Sequence, residues 1–221
     1  MIEQTQAQRG NFIVLEGQGF TGKTEQSALL VARLVGNGIN VWETQEPGGV
    51  PSALRIRHEI LDKRGKGLIG PEEETVLFYK SRERFLRYGV RPALKKGRWV
   101  VSTRFTALTW IYQGKEGGVN PDLLAQLEQD VVRDTQPELY LLLDVPPEEI
   151  YNRLTAKHAR VKHSFNEVDV DKISKRRQAY LELAQENRYG NWFIINGIGS
   201  ISEVHEIIWA EVARKFGLQN D

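Results

Sequence analysis

The stretch that most constrains the fold of this chain spans residues 11–26, NFIVLEGQGFTGKTEQ. Four apolar residues, Phe12–Leu15, precede Gly17–Thr24, which has the phosphate-loop spacing G-x-x-x-x-G-K-T, and a helical pattern follows. A glycine-bearing turn between a buried strand and a helix lets successive backbone N–H groups converge on phosphate oxygens. The alternative is a chance glycine-rich turn, which the complete spacing and its strand–helix context disfavour. The sequence therefore predicts a loop that binds a nucleoside triphosphate.

Two side chains of this loop have predicted roles of their own. Lys23 places a positive charge on the β- and γ-phosphates, and the Thr24 hydroxyl is suited to hold Mg²⁺. The residues expected to bind the triphosphate are Gly17, Gln18, Gly19, Phe20, Thr21, Gly22, Lys23 and Thr24. The loop therefore predicts a nucleoside triphosphate bound together with Mg²⁺.

Composition narrows the class of protein. The chain has 221 residues, the length of one α/β domain over 1–221, with 30 Lys and Arg against 29 Asp and Glu. Nearly balanced charge argues against a nucleic-acid partner held by a broadly basic surface. There is no cysteine, so disulfides and thiolate metal sites are excluded, which fits a reducing compartment. Apolar runs of signal-peptide or membrane-spanning length are also absent from the sequence, so we expect a cytoplasmic protein with no membrane partner.

Apolar segments alternate with helical patterns along the whole chain, which predicts a mainly parallel sheet with right-handed crossovers. Strands are predicted at 12–15, 39–44, 99–102, 139–143 and 192–195. The first helix, predicted at 22–35, is expected to place four apolar residues on its inner face. These residues are Ala28, Leu29, Ala32 and Val35.

The remaining helices carry their own boundary signals. We expect a helix at 52–61 followed by a loop at 63–70, and a short helix at 108–113 followed by a loop at 114–118. Ser200 and Glu203 form a predicted capping box for the terminal helix. The residues that this helix should bury are Val204, Ile207, Ile208 and Val212.

Beyond the phosphate loop, the chain resembles the thymidylate kinase family of P-loop nucleoside monophosphate kinases. The resemblance covers nearly the whole chain and is carried by EPGG at 46–49, FYKSR at 78–82, RPALKKGRWVV at 91–101, Tyr112-Gln113-Gly114, PELYLLLDVPPEE at 137–149 and RRQAYLELA at 176–184. It implies a three-layer P-loop NTPase fold, with a five-stranded mainly parallel sheet flanked by helices and a short lid. It also implies a homodimer that transfers the γ-phosphoryl of ATP to dTMP with Mg²⁺.

The resemblance also implies an acceptor site, in which each residue has a simpler alternative role. Phe78 would stack on the base and Arg82 would reach its carbonyl, although the first fits a core position and the second a solvated helix face. Arg57 and Arg104 would bind the acceptor phosphate, with surface charge as their alternative. The other implied substrate-binding residues are Glu16, Glu46, Pro47, Tyr112 and Gln113. Glu16 is also a candidate metal-shell residue, or it orients the loop backbone.

The catalytic charges implied by the resemblance are Lys23, Arg104, Arg153 and Arg160. The last of these lies in the predicted lid at about 157–168, whose alternative is a solvated basic loop. Phosphoryl transfer depends mainly on positioning and charge neutralisation. We therefore expect no Ser–His–Asp arrangement.

Several residues depart from the family pattern at functional positions. Thr103 replaces an aspartate before Arg104, and Gln45 replaces an arginine before EPGG. The other departures are Gly19, Phe20, Leu108, Trp110, Ile111 and Ala159. Each lost charge-assisted hydrogen bond costs about 1.5–3 kcal/mol. Two alternatives to a dTMP kinase therefore stay open: a kinase for a different nucleotide, and a nucleotide-binding homologue with weak or no kinase activity.

Overall fold

Within residues 9–158 and 170–219, which the computed structural model describes, five strands form one parallel sheet in the order β2-β3-β1-β4-β5. The strands are β1 Phe12–Glu16, β2 Val41–Gln45, β3 Trp99–Thr103, β4 Leu139–Asp144 and β5 Trp192–Asn196. The predicted α/β class is confirmed. Because β1 is central, Glu16 ends beside the ends of β3 and β4, where an open parallel sheet places its ligand site.

Helices cover both faces of the sheet. They are α1 Lys23–Gly36, α2 Pro51–Gly65, α3 Pro71–Phe85, α4 Arg91–Lys95, α5 Thr106–Thr109, α6 Pro121–Val131, α7 Pro147–His158, α8 Val170–Gln185 and α9 Ile201–Phe216. On one face α1 and α9 pack through Leu30, Leu34 and Ile208. The opposite face is covered by helices of the α3–α6 region and by α8. None of the helices in the described ranges is both long enough and apolar enough to cross a bilayer.

The inner face predicted for α1 is wrong. Leu29 is 37% exposed and Val35 is 54% exposed, and Ala28 and Ala32 are also exposed. The buried residues are Lys23, Gln26, Ser27, Leu30 and Leu34. Two polar groups on this face donate hydrogen bonds: the Gln26 amide donates to the Ile201 carbonyl at 2.8 Å, and the Ser27 hydroxyl donates to Glu43 at 2.8 Å.

Other boundaries were predicted with mixed success. The capping box at Ser200 and Glu203 is present in both directions, but Ile207 of α9 is 42% exposed and not buried as expected. The predicted start of the loop at residue 63 is wrong, because α2 continues to Gly65. Most of the predicted lid, including Arg160, lies outside the described residues.

Two π-helical turns interrupt the helical layer in the part of the chain described. Leu86–Val90 joins α3 to α4. Trp110–Glu116 extends α5, so the loop expected at 114–118 begins later than predicted. A π-helical turn holds one more backbone residue between hydrogen-bonded groups than an α-helical turn does. The second turn carries Tyr112 and Gln113.

Candidate active site

Two cavities at the carboxyl ends of the strands contain most of the predicted site residues. We call the first, of about 600 Å³, the loop cleft. Its described wall comprises Gly19–Gln26, Gln45, Thr103, Arg104, Arg153, Gly197, Gly199–Ile201 and Val204. We call the second, of about 250 Å³, the arginine cavity. Its described wall comprises Glu46, Pro47, Arg57, Ile60, Leu61, Arg64, Phe78, Arg82, Arg104, Leu108, Thr109, Tyr112 and Gln113.

The phosphate loop adopts backbone conformations that favour glycine at three positions. Gly17 and Gly22 have φ of 135° and 91°, and a side chain at Gly17 would meet the Leu143 carbonyl. Phe20, one of the departures from the family pattern, has φ of 66°, a left-handed conformation that costs a residue other than glycine about 1–2 kcal/mol. Of the predicted ATP-binding residues, Gly19 to Thr24 line the loop cleft. The side chain of Gln18 instead donates to the Ile173 carbonyl at 2.9 Å.

Lys23 is folded into the loop and 6% exposed. Its Nζ donates to the Gly17 carbonyl at 2.8 Å, to the Gln18 carbonyl and to the Thr21 hydroxyl at 3.2 Å. Burial, reinforced by the Arg104 charge, lowers the pKa of Lys23 to about 7. The amine is therefore held close to the loop by neutral acceptors, which stronger phosphate acceptors can replace.

Glu16 is completely buried at the end of β1, and its Oε1 accepts the backbone N–H of Phe105 at 2.7 Å. This bond fixes the backbone directly after Arg104. Glu16 Oε2 has no hydrogen-bond partner among the described residues. Burial raises the pKa of Glu16 to about 7, although the Phe105 N–H and the charges of Lys23 and Arg104 oppose the rise. The contact is with the backbone after β3 and not with the phosphate loop, so the roles considered for Glu16, in the metal shell, at the acceptor and in orienting that loop, stay predictions.

The buried Glu16 carboxyl makes the folded protein bind a proton that the unfolded chain releases at lower pH. The pKa of Glu16 in the folded protein, about 7, exceeds its ordinary value of 4.5. Its proton therefore stabilises the folded state fully below about pH 4.5, and this part of the free energy of unfolding is lost as pH rises to about 7. We expect Glu16→Gln to flatten this decline by up to about 1.4 kcal/mol per pH unit. Denaturant unfolding at several pH values measures the slope. The exposed Glu72→Gln should retain the wild-type slope, and an unchanged slope in Glu16→Gln would refute the assignment.

Arg104 lines both cavities, and among the described residues it alone belongs to both walls. Its backbone has φ of 70°, and its N–H donates to the Leu15 carbonyl at 2.9 Å. A left-handed arginine directly after a strand turns the chain sharply at the sheet edge. Arg104 is half-buried between the two cavities, and its role at the acceptor phosphate stays a prediction.

Arg153 of α7 reaches the loop cleft from the far side. Its Nη1 donates to the Phe20 carbonyl at 3.3 Å, its Nη2 to the Gly197 carbonyl at 3.2 Å, and its Nε to Glu149 at 2.7 Å. These contacts tie the phosphate loop to the segment after β5. The guanidinium thus lies next to the loop that was predicted to hold phosphates. The companion prediction for Arg160 falls on a residue outside the described ranges.

The turn after β2 brings Glu46 and Pro47 to the arginine cavity through a cis peptide bond. Arg57 Nη1 donates to the Pro47 carbonyl at 3.1 Å, which places this guanidinium beside the turn. Phe78 is 9% exposed and still lines the cavity, so the core and ligand-facing roles do not exclude each other. The Arg64 guanidinium lies 5.9 Å from the centroid of the Phe78 ring.

Arg82 is 1% exposed, which excludes the solvated helix face considered for it. Its Nη2 donates to Glu46 Oε2 at 3.1 Å and to the Thr109 hydroxyl at 2.7 Å. Its Nε and Nη1 have no hydrogen-bond partner within the described chain, so the guanidinium retains unused donors. Burial raises the pKa of Glu46, and the neighbouring Arg82 charge opposes that rise.

The π-helical turn Trp110–Glu116 places some of its side chains in the arginine cavity and others outside its described wall. Tyr112 and Gln113 line the arginine cavity, and the Arg176 guanidinium covers the Tyr112 ring at 4.4 Å. Leu108 lines the same cavity, so its departure from the family pattern changes the wall. Trp110 instead packs against Tyr189, with ring centroids 5.9 Å apart. Its bulk is therefore outside the described cavity wall.

Several polar residues of the site were missed in the sequence. Thr109 binds Arg82, Arg64 lines the arginine cavity, and Tyr79 lies beneath the Arg82 guanidinium at 4.6 Å from the ring centroid. Glu128 of α6 is 4% exposed near the same guanidinium. The available signal for Glu128 was a carboxylate at helical spacing between Leu124 and Val132 on an otherwise apolar face.

A magnesium site in this chain would need few protein ligands, because Mg²⁺ usually keeps waters and binds substrate phosphates. A cluster of three or more His, Asp or Glu suited to a metal is absent from the described residues. The exposed Thr24 lines the loop cleft, and Glu16, whose Oε2 has no hydrogen-bond partner among the described residues, interacts with the Lys23 charge. Both are oxygen donors, so the residues present fit a phosphate-bound Mg²⁺.

Comparison with known proteins gives a consistent match. A sequence model of the family described as thymidylate kinase matches residues 15–208. A thymidylate kinase of Bradyrhizobium sp. strain ORS 278 is 35% identical over 208 residues, covering 94% of this chain and 91% of the relative. One from Afipia carboxidovorans is 36% identical over 202 residues, covering 91% and 88%. The matched stretch includes the described walls of both cavities.

Proposed function

The chain belongs to the thymidylate kinase family, and from this membership and its two cavities, which share Arg104, we propose that it transfers the γ-phosphoryl of ATP to dTMP, giving dTDP and ADP. It is an ATP-dependent nucleoside monophosphate kinase. The observation that carries the proposal is the position of Arg104 in the walls of both the loop cleft and the arginine cavity. A phosphoryl group passing between two nucleotides needs positive charge at that junction.

In this proposal the loop cleft binds ATP and the arginine cavity binds dTMP. Lys23 exchanges its neutral acceptors at Gly17 and Gln18 for phosphate oxygens of ATP. Arg153 supplies positive charge from the opposite side of the phosphate loop, and Arg160 is proposed as its companion. Because transfer moves negative charge from ATP to dTMP, fixed guanidinium groups lower the barrier without rearranging during the reaction.

In the arginine cavity, Phe78 offers a ring against which the planar base stacks, and Arg82 offers donors to a base carbonyl. Arg57 and Arg104 are suited to the acceptor phosphate, because a guanidinium binds phosphate oxygens in pairs. Tyr112 and Gln113 face the same cavity and are proposed to contact the sugar and the base edge. Glu46 acts by holding Arg82 at the wall.

Mg²⁺ belongs to the proposal as the cofactor. When bound, it neutralises charge on the transferring phosphates, and Thr24 would hold it, with Glu16 Oε2 as a second oxygen. We also propose a homodimer in the cytoplasm, on the resemblance to the family. Light scattering that gave the 25.3 kDa mass of one chain would contradict the dimer.

A coupled assay of ADP release tests the function. Purified protein is supplied with ATP, Mg²⁺ and one of dTMP, dUMP, dCMP, dGMP or dAMP. We expect the highest kcat/KM with dTMP. Turnover that favoured another monophosphate would replace the acceptor in the proposal. Binding of ATP without turnover of any of them would overturn the kinase assignment.

Thr103 provides a gain-of-function test, because it occupies the position of the family's aspartate and lines the loop cleft. We expect Thr103→Asp to lower the Mg²⁺ concentration that gives the half-maximal rate, by about tenfold, through one restored charge-assisted contact to the metal's waters. Thr103→Asn is the matched control of similar size without charge. A Thr103→Asp variant with the same Mg²⁺ dependence as Thr103→Asn would refute this role.

A further inference from the structure

A buried acidic residue outside the described wall of the arginine cavity lies against Arg82, which is part of that wall. Glu128 belongs to α6 and is 4% exposed. Its Oε2 accepts the Tyr79 hydroxyl at 2.8 Å and lies 3.9 Å from Arg82 Nη1. The sequence reading and the proposed mechanism assign no role to this carboxyl.

The Arg82 guanidinium is held from two directions. From the segments that follow β2 and β3, Glu46 and Thr109 accept from Nη2 at 3.1 and 2.7 Å. From α3 and α6, the Tyr79 ring lies beneath the guanidinium and Glu128 lies beside Nη1. A planar guanidinium fixed along one nitrogen can still rotate about that contact, and a second charge beside the other nitrogen restricts the rotation.

For packing alone, an apolar side chain at position 128 would stabilise the fold more than a buried carboxylate does. Burying a carboxylate is unfavourable, and replacing a buried ion pair by well-packed apolar residues is often neutral or stabilising. Burial raises the pKa of Glu128 to about 7, against the opposing effects of Arg82 and Tyr79, which reflects this cost. The carboxyl therefore suits a role in orienting Arg82 better than a role in packing.

We propose that Glu128 is a positioning residue for recognition of the acceptor base: through its contacts with Tyr79 and Arg82, it fixes the orientation in which the Arg82 guanidinium meets the arginine cavity. The inference rests on the proposed function, because it takes dTMP as the ligand of that cavity. Glu128 acts through Arg82 and does not itself touch the nucleotide.

The test compares Glu128→Gln with the wild type in steady-state kinetics. We expect KM for dTMP to rise about tenfold, which corresponds to about 1.4 kcal/mol of binding. We expect kcat and KM for ATP to stay within about twofold, because the loop cleft is unaffected. Thymidine, which lacks the phosphate, is the second probe, and its Kd by calorimetry should rise by the same factor as KM for dTMP.

Two further variants separate positioning from general destabilisation. Tyr79→Phe keeps the ring under Arg82 but removes the hydrogen bond to Glu128, and it should raise KM for dTMP in the same direction by a smaller factor. Glu211→Gln is the matched control, since Glu211 is a 7% exposed carboxylate that pairs with Arg214 on α9. It should leave both KM values unchanged. Should Glu128→Gln fail to fold, Tyr79→Phe decides the question.

Several results would overturn the inference. An unchanged KM for dTMP in Glu128→Gln or Tyr79→Phe would overturn it. A fall in kcat with equal rises in KM for dTMP and KM for ATP would also overturn it. Weaker binding of dTMP with unaltered thymidine binding would place the effect at the phosphate and not at the base. A wild-type protein that did not turn over dTMP would instead defeat the proposed function itself, so the two failures are distinguishable.

Discussion

Lys23→Ala is expected to lower kcat/KM for ATP by about 10²–10³, the range seen when one preorganised charge or donor is removed from a transition state. The side chain lies inside the phosphate loop and donates to two of its carbonyls, so no neighbouring cation in the described structure occupies the same place. Steady-state kinetics with varied ATP measure the loss. We expect kcat to fall as well as KM to rise, because the charge acts on the transferring phosphates.

The folded state should tolerate this change. Burial lowers the pKa of Lys23, so the buried amine carries a desolvation cost that alanine lacks. Thermal unfolding of Lys23→Ala should therefore show a midpoint no lower than that of the wild type. Lys96→Ala removes an exposed lysine far along the chain and serves as the control for activity. Full activity in Lys23→Ala would contradict a role for the phosphate loop in the transfer.

Arg104→Ala is expected to lower kcat/KM for dTMP by about 10²–10³ and kcat by a similar factor, because the residue lines both cavities. Arg104→Lys should recover only part of the loss, since an ammonium provides a point charge without paired donors. Initial rates with dTMP varied at saturating ATP provide the measurement.

The conformation of Arg104 requires its own control. Arg133 also has a positive φ, 55°, but is exposed at the end of α6, so Arg133→Ala tests the effect of alanine in a left-handed position without touching the site. Full activity in Arg133→Ala beside a large loss in Arg104→Ala would assign the loss to the guanidinium. Unchanged dependence on dTMP in Arg104→Ala would contradict its place at the acceptor.

The sequence predicted most accurately those features that depend on neighbours in the chain. The phosphate loop, the order of strands and helices and the capping box at Ser200 all follow from local spacing, and the structure contains each of them. The family resemblance predicted that Arg57, Phe78 and Arg82 belong to one site, and all three line the wall of one cavity in the structure. The role of each remains a proposal.

The face of α1 could not be predicted from its apolar residues. The helix begins at Lys23, whose side chain folds into the phosphate loop, and Gln26 and Ser27 find partners on α9 and β2. The buried face of α1 therefore combines these polar residues with Leu30 and Leu34, and the face expected to be buried is exposed. Periodicity identifies the inner face of a helix only when the functional residues of that helix lie elsewhere.

The ionic cluster around Arg82 was unpredictable for a different reason. Glu46 lies 36 residues from Arg82 in sequence, and Tyr79 lies 49 residues from Glu128. Pairs at such separations are brought together by the crossovers of the sheet and leave no local signature. Only the isolated carboxylate on the apolar face of α6 indicated that a buried partner existed.

The π-helical turn at Trp110–Glu116 constrains how this segment tolerates natural variation. Its extra backbone residue lets Tyr112 and Gln113 meet the arginine cavity while Trp110 packs on the other side. Removing one residue would convert the turn to ordinary helical geometry and rotate every following side chain by about 100°. Homologues can thus exchange residue types at 110 and 111, whereas insertions and deletions there should be rare. We therefore expect homologues to keep the length of this segment more strictly than its residue types.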